Sequence, residues 1–345
     1  MTVDMTTNYL GLELRNPIVP SASTLSQGAG VARRLQDAGA GALVLQSLFE
    51  EQIDHDETQV FRMLETGADS TGEAASYFPE LDDYNIGISA YLHHVEALKK
   101  ELEIPVIASL NGSTDGGWVR HAKHLEDAGA DALELNVYFF ATESDVTGAD
   151  VERRYEDLVA SVRGSITIPL AVKVGPFFSS MANMAVRLVD AGADGLVLFN
   201  RFLQPDINLE TLTVDPTLHL STAEEVRMPL RWIALLRDRL DCSLAATSGV
   251  HSWEDAVKLI LTGADVTMMA SALYLHGPEY LTTVLEGLQT WLDERSYASV
   301  RQARGSMSQL SVPKAEAFSR ANYLRMLTSY SSAFDWRDAP GSPAT

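Results

Sequence analysis

The feature that most constrains the fold of this chain is a glycine-containing turn that occurs four times. The copies lie at 35–45, 125–135, 188–198 and 259–269, and each combines the end of a helical pattern with a short apolar run. Their glycines, Gly39, Gly129, Gly192 and Gly263, suit the left-handed conformation that closes a helix. Because each apolar run is short, we expect buried strands of a parallel sheet.

Four further apolar runs alternate with these turns, at 16–23, 104–110, 168–174 and 242–247. Amphipathic helical patterns separate the strands, for example at 118–128, 150–163 and 181–190. Eight strand and helix pairs in 345 residues predict an α/β fold of the (β/α)8 TIM barrel type. An open, doubly wound sheet is the alternative.

The pattern predicts one barrel domain over 1–312, with a helix at 313–332 and a frayed tail in the remainder of 313–345. Two connections are long, 48–102 after the second strand and 201–230 after the sixth. Both leave the carboxyl end of a strand, where barrels carry their active sites. We therefore expect these two loops to cover a substrate.

Composition narrows the class of partner. The 47 acidic and 26 basic residues give a net charge of -21, which disfavours nucleic acid and anionic membranes. Cys242 is the only cysteine, so no intrachain disulfide forms, as is usual in a reducing compartment. The chain begins without a basic or long apolar segment, and we expect a cytoplasmic protein.

Polar side chains stand where buried strands end. Lys173 lies in an apolar strand, and Asn136 and Asn200 close two neighbouring strands. A buried lysine needs an anion, which is either Glu134 on the preceding strand or a ligand at the barrel mouth. The three side chains together favour a ring of hydrogen-bond donors on the catalytic face.

The last two strands indicate a phosphate site. Thr247-Ser-Gly-Val is a small turn before a helix that Ser252 is placed to cap, and Met269-Ala-Ser precedes another helix. Backbone N–H groups at such turns hold phosphate in many barrels, although an ordinary loop is the alternative. His121 and His124 have metal-ligand spacing, but we expect them on a solvated helix face, and no metal is predicted.

Motifs in this order resemble the dihydroorotate dehydrogenases: Asn16-Pro-Ile-Val-Pro-Ser-Ala-Ser, Glu134-Leu-Asn-Val, Ala171-Val-Lys-Val, Thr247-Ser-Gly-Val and Ala270-Ser-Ala-Leu-Tyr. The resemblance runs from about Asn8 to Gln309 and is greatest to the soluble class. It implies a barrel that binds flavin mononucleotide (FMN), with the phosphate on the loops after the last two strands.

The resemblance also assigns residues. It implies flavin contacts for Ala22, Ser23, Gln46, Ser47, Asn136, Lys173 and Asn200, and phosphate contacts for Ser248, Gly249, Ala270 and Ser271. It implies substrate contacts for Asn85, Asn136 and Asn200. Arg201 departs from the family, which has a small hydroxyl or similar residue after this asparagine, and it either binds a substrate carboxylate or is a solvated surface side chain. A cation such as Lys173 near the ring would stabilise an anionic reduced flavin.

The departures from the family pattern concern catalysis. Phe139 occupies the position of the family's Cys or Ser general base, and Ala141 replaces a substrate-binding asparagine. Gln46 stands where a lysine is expected. Thr142 and Ser144 are the nearest substitutes for the base, so the catalytic candidates are Lys173, Asn136, Thr142 and Ser144.

Three functions are consistent with the sequence. The first is an FMN-dependent oxidoreductase that oxidises dihydroorotate or a related small carbonyl or carboxylate compound at a CH–CH bond, in pyrimidine biosynthesis by resemblance. The second is a flavin-binding homologue that serves a partner oxidoreductase. The third is a flavin-free phosphate-binding lyase or isomerase. By resemblance we expect a homodimer, and any iron–sulfur centre must lie in a redox partner because Cys242 is alone.

Overall fold

Eight parallel strands form a nearly closed barrel in the computed structural model, which describes residues 3–49, 88–112, 115–201, 204–215 and 217–318. The strands are β1 (Thr7–Tyr9), β2 (Leu12–Leu14), β3 (Ile18–Pro20), β4 (Leu43–Phe49), β5 (Val106–Gly112), β6 (Ala132–Val137), β7 (Leu170–Val174), β8 (Gly195–Leu198), β9 (Asp206–Asn208), β10 (Thr213–Asp215), β11 (Ser243–Ala246) and β12 (Val266–Met269).

The helices are α1 (Ala29–Asp37), α2 (Ile88–Glu101), α3 (Asp115–Asp127), α4 (Gly148–Arg163), α5 (Met181–Asp190), α6 (Arg227–Leu236), α7 (Trp253–Thr262), α8 (Ser271–His276), α9 (Tyr280–Glu294) and α10 (Val300–Ala303). Short 3-10 helices lie at Thr24–Ser26, Ala223–Val226 and Ala315–Phe318. None of the described helices is long and apolar enough to cross a membrane.

The barrel strands follow one another in the order β3-β12-β11-β8-β7-β6-β5-β4, and all of their pairings are parallel. At the seam between β3 and β4, the Gly41 N–H donates to the Ile18 carbonyl at 2.8 Å. The predicted (β/α)8 barrel is confirmed, and the open sheet is excluded.

The repeated turn has a physical explanation in the structure. Gly39, Gly129, Gly192 and Gly263 all have positive φ, between 92° and 124°. In the last three copies, an aspartate two residues after the glycine accepts the backbone N–H of the preceding barrel strand. Asp131 binds the Val106 N–H at 2.7 Å, Asp194 the Leu170 N–H at 2.8 Å and Asp265 the Leu244 N–H at 2.7 Å. Each of these three copies therefore ends a helix and holds the amino ends of two strands together.

A hairpin that the sequence analysis did not predict closes the amino end of the barrel. Strands β1 and β2 pair antiparallel, and Tyr9, Leu10 and Leu14 are buried with the small and apolar residues of the barrel interior. A Cβ atom at Gly195 would lie 2.6 Å from Leu10 Cδ2, so a larger residue at 195 would displace the hairpin. The interior is thus a packed core rather than a channel.

The long connection after β8 is partly described. It contains the antiparallel hairpin of β9 and β10, the 3-10 helix Ala223–Val226 and the beginning of α6. Residues 50–87 of the connection after β4 lie outside the described residues, as do 319–345. The domain boundary at 312 therefore stays a prediction.

One expectation was wrong for one of its two residues. His121 and His124 were expected on a solvated helix face, and His124 is exposed, but His121 is only 3% exposed. Helix α3 packs its His121 side inward because Trp118 and Ala122 on neighbouring positions belong to the buried core.

Candidate active site

A cavity of about 390 Å³ opens at the carboxyl ends of the barrel strands. Every described flavin candidate from the sequence lines it: Ala22, Ser23, Gln46, Ser47, Asn136, Lys173, Asn200, Ser248, Gly249, Ala270 and Ser271. Arg201 lines the same cavity. Asn85 lies outside the described residues, so its place is a prediction.

The floor of the cavity carries the buried lysine. Lys173 is 7% exposed, and its Nζ lies 3.3 Å from Glu134 Oε1 and 3.5 Å from Ser21 Oγ. The structure thus contains the ion pair with Glu134, and Lys173 also lines the cavity, where a ligand as its second partner stays a prediction.

Two amide oxygens in the cavity wall have no hydrogen-bond partner among the described residues. Gln46 Oε1 and Asn136 Oδ1 are buried and unpaired, while Asn136 Nδ2 donates to Ser47 Oγ at 3.3 Å. Ser47 Oγ is in turn 2.8 Å from Ser109 Oγ. Since a buried unpaired acceptor costs free energy, these oxygens suit a ligand that presents N–H or O–H groups.

The end of the cavity at the last two strands has the form of an anion cradle. Ser248 and Gly249 both have φ of 77°. The backbone N–H groups of Ser248, Gly249, Ala270 and Ser271 donate to no other described residue. A Cβ atom at Gly249 would lie 2.2 Å from the Val226 backbone nitrogen, so the turn packs directly against the chain before α6. Successive free N–H groups of this kind bind phosphate.

Two polar side chains near this cradle were not singled out from the sequence. Ser221, on the long connection, donates from Oγ to Ser271 Oγ at 2.8 Å, and His251 Nε2 lies 3.1 Å from the same Ser221 oxygen. These residues are 30 and 50 positions apart in the chain, so no local motif could reveal the contact.

Arg201 is held by the same connection. Its Nε donates to Glu225 Oε2 at 3.3 Å and its Nη2 to the Leu220 carbonyl at 3.2 Å. The guanidinium is 29% exposed and lines the cavity. An anionic ligand would compete with Glu225 for this group.

The loop after β6 turns away from the cavity. Phe139 packs edge-on against Tyr155 with ring centroids 5.0 Å apart, and Tyr155 packs against Phe178 at 5.2 Å. The Arg154 guanidinium lies 4.2 Å from the Phe139 ring centroid. Phe139 and Ala141 line a separate aromatic cavity of about 520 Å³. Phe139, which stands in place of the expected base, is thus packed against residues outside the candidate site.

The two proposed substitutes for the base are not in the described cavity. Thr142 and Ser144 are exposed on the connection between β6 and α4. Their catalytic role stays a prediction. The other catalytic candidates, Lys173 and Asn136, share the cavity on neighbouring strands, where Asn136 lies opposite Lys173 in the sheet.

Comparison with known proteins gives one consistent result. A family model described as dihydroorotate dehydrogenase matches residues 4–292. Relatives named dihydroorotate dehydrogenase B (NAD(+)), catalytic subunit, include proteins of Geotalea uraniireducens and Pyrococcus abyssi. The first is 27% identical over 88% of this chain and 98% of its own length. The second is 26% identical over 86% of this chain and 97% of its own length.

Proposed function

The chain belongs to the dihydroorotate dehydrogenase family, and from that premise we propose that it is an FMN-dependent oxidoreductase. Its substrate would be dihydroorotate or a related small carbonyl or carboxylate compound that is oxidised at a CH–CH bond, a step of pyrimidine biosynthesis. The observation that carries the proposal is that residues on, or directly after, seven of the eight barrel strands line one cavity.

The residues present fit FMN. The free N–H groups around Ser248 and Ala270 would hold the phosphate, and the unpaired oxygens of Gln46 and Asn136 would accept from ring or substrate N–H groups. Ala22, Ser23, Ser47 and Asn200 would complete the contacts with the cofactor. When bound, FMN supplies the acceptor for a hydride.

The chain's own residues would then bind and orient the substrate. Asn136 and Asn200 offer amides on either side of Lys173, and the positive charge of Lys173 would stabilise a cofactor that becomes anionic on reduction. Arg201 would bind a substrate carboxylate in exchange for Glu225. Asn85 is a further substrate candidate from the second-strand loop. For proton removal, the exposed loop of Thr142 and Ser144 would have to bring a hydroxyl to the cavity.

Two observations favour a second function. Phe139 lies in an aromatic cluster, and Gln46 lacks the charge of the expected lysine, so a flavin-binding homologue without dihydroorotate turnover is consistent with the site. Such a protein would serve a redox partner. Several relatives are named catalytic subunits, a name that belongs to a protein with a further subunit.

We also propose a cytoplasmic homodimer. In its support, the hairpin of β9 and β10 exposes Ile207, Leu209, Leu212 and Val214, each at least 64% accessible. Exposed apolar side chains this close together usually mark a protein contact. A second copy of the chain would bury them, and sedimentation at micromolar concentration tests this assembly.

The function is tested by colour and then by bleaching. Purified protein should be yellow and should release FMN on denaturation, and a colourless protein that takes up no FMN would overturn both flavin functions. Anaerobic mixing with dihydroorotate should bleach the flavin absorbance if the chain is a dehydrogenase for that substrate. A yellow protein that does not bleach would leave the carrier function and rule out dihydroorotate.

A further inference from the structure

Glu134 is the most deeply buried carboxylate near the candidate site. Its side chain is 1% exposed, and its only partner in the part of the chain that the structure describes is Lys173, through Oε1. The second oxygen, Oε2, has no hydrogen-bond partner in the described residues. Burying a carboxylate with one of its oxygens unpaired costs free energy of folding. The presence of Glu134 at this position therefore needs a physical reason.

The sheet register places Glu134 one layer below the cavity. Glu134 lies opposite Ala171 on β7, whereas Lys173 lies opposite Asn136, two residues nearer the carboxyl end. Lys173 and Asn136 line the cavity and Glu134 does not. The carboxylate therefore supports the ammonium group from beneath.

The contacts of Lys173 leave it free to serve a ligand. The ammonium group has three N–H donors, and its two protein contacts, at 3.3 and 3.5 Å, are both long. Arg201, the other cation among the described lining residues, is already paired with Glu225. The charge at the floor of the cavity thus depends on the balance between Lys173 and Glu134.

The charge of Glu134 also acts on other groups in the barrel. Burial raises the pKa of Tyr9, which lies in the hairpin that fills the amino end, and the negative charge of Glu134 raises it further. The pKa of Tyr91 is raised in the same two ways, although a backbone hydrogen bond to Ser109 opposes the shift. A charge felt at both tyrosines is also felt in the cavity directly above it.

We propose that Glu134 is a positioning residue that holds Lys173 at the cavity floor and offsets its charge, so that the pair sets how strongly the site stabilises a negative charge on its ligand. This inference rests on the proposed FMN function. Glu134 itself would not contact the cofactor, because it acts through Lys173.

The first test needs no flavin. Lys173→Met should lower the urea midpoint of unfolding because it leaves Glu134 buried without a cation, and Lys173→Met/Glu134→Gln should recover at least half of that loss. If the double variant is no more stable than Lys173→Met, Glu134 does not offset the charge of Lys173 and the inference is wrong. Because this cycle is carried out on the apoprotein, it remains decisive even if the protein proves colourless and the proposed function fails.

The second test uses sulfite, an anion that adds reversibly to oxidised flavin and leaves a negative charge on the ring. In the FMN-loaded protein, Glu134→Gln should lower the dissociation constant of sulfite about tenfold, since the floor becomes more cationic. If Glu134→Gln favours the two-electron-reduced flavin by the same factor of ten, the flavin reduction potential would rise by about 30 mV. A merely structural role of Glu134 would weaken FMN binding or folding but would not tighten sulfite binding.

The controls separate local from total charge. Glu101→Gln removes a carboxylate that is 41% exposed and pairs with Arg33, and it should leave sulfite binding unchanged. If Glu134→Gln does not fold, Glu134→Asp withdraws the carboxylate from Lys173 and should tighten sulfite binding by two- to threefold. Unchanged or weaker sulfite binding in a Glu134 variant that retains FMN would overturn the proposal.

Discussion

Two buried carboxylates at opposite ends of the barrel have very different surroundings. Asp265, at the amino end, pairs with Arg237 and Arg304 and accepts the Leu244 N–H. Glu134, beneath the cavity at the carboxyl end, pairs with one lysine and has an oxygen without a partner, as far as the described ranges extend. Both side chains are almost inaccessible, so burial alone does not explain the difference.

The comparison separates the end that holds the barrel together from the end that receives a ligand. At the amino end, the aspartates of the repeated turn are paired with cations and with strand N–H groups. At the carboxyl end, the oxygens of Gln46 and Asn136 and the N–H groups of the Gly249 turn have no hydrogen-bond partner among the described residues. Unpaired groups lower stability, and a ligand that satisfies them restores it.

The largest expected effect is on the amino end. Asp265→Ala should reduce the free energy of unfolding by about 4 kcal/mol, because it leaves two arginines and a buried N–H without their partner. Urea denaturation of the apoprotein measures this loss. Asp194→Ala removes the equivalent carboxylate from the third turn, where the side chain is 47% exposed, and should cost only about 1 kcal/mol. Equal losses in the two variants would contradict the role assigned to burial.

Gly249→Ala should weaken FMN binding about a hundredfold, or about 3 kcal/mol. The new methyl group would enter a conformation with positive φ and meet the Val226 backbone at 2.2 Å, so the phosphate cradle must open. Gly11→Ala is the matched control, since its φ is 76° and nothing lies within 4 Å of the added methyl. That variant should lose about 1 kcal/mol of stability and keep its affinity for FMN.

The contribution of Glu126 to the stability of the amino end can be tested by varying the pH. Hydrogen bonds from Lys123 and Thr167 lower the pKa of Glu126 from 4.5 to about 2. A lowered folded-state pKa stabilises the protein above pH 4.5, and this contribution disappears as the pH falls toward 2. Glu126→Gln should therefore cost about 2 kcal/mol at pH 7 and progressively less between pH 4.5 and 2.

Urea unfolding of Glu126→Gln and wild type at several pH values gives the difference directly. Glu224→Gln is the control, because Glu224 is 72% exposed in its pair with Arg227. It should change stability little at any pH. A Glu126→Gln deficit that stays constant down to pH 2.5 would mean that the carboxylate is not stabilised in its charged form.

Much of the fold was predictable because the sequence patterns that indicate it involve residues close together in the chain. The glycine turns fixed four helix ends, and Gly39, Gly129, Gly192 and Gly263 all have the predicted positive φ. The strand ends that follow them point to one face, and for that reason the flavin candidates share a cavity. The hairpin of β1 and β2 escaped prediction because strands of three residues are too short to show periodicity.

The rest of the site depends on contacts between distant segments. The contact of Ser221 with His251 joins the long connection to the start of α7, and the unpaired oxygen of Glu134 depends on what its neighbours leave empty. Sequence spacing also could not show that His121 is buried. The direction of Phe139 is set by Tyr155, which lies 16 residues further along and on a different element.

Phe139 is an exception to the difference between the two ends of the barrel. It lies at the carboxyl end, where a ligand would bind, and yet its side chain is part of a packed aromatic cluster. Phe139→Cys restores the type of side chain that serves as general base in the family, but it should not restore bleaching by dihydroorotate, because residue 139 lines the aromatic cavity instead of the flavin cavity. A thiol-reactive dye provides a check that is independent of activity. The only other thiol is Cys242, and the labelling rate at residue 139 should be the same with and without FMN. Protection by FMN would show that this loop turns into the site. Bleaching by dihydroorotate would show in addition that the substitution at 139 alone removed the base.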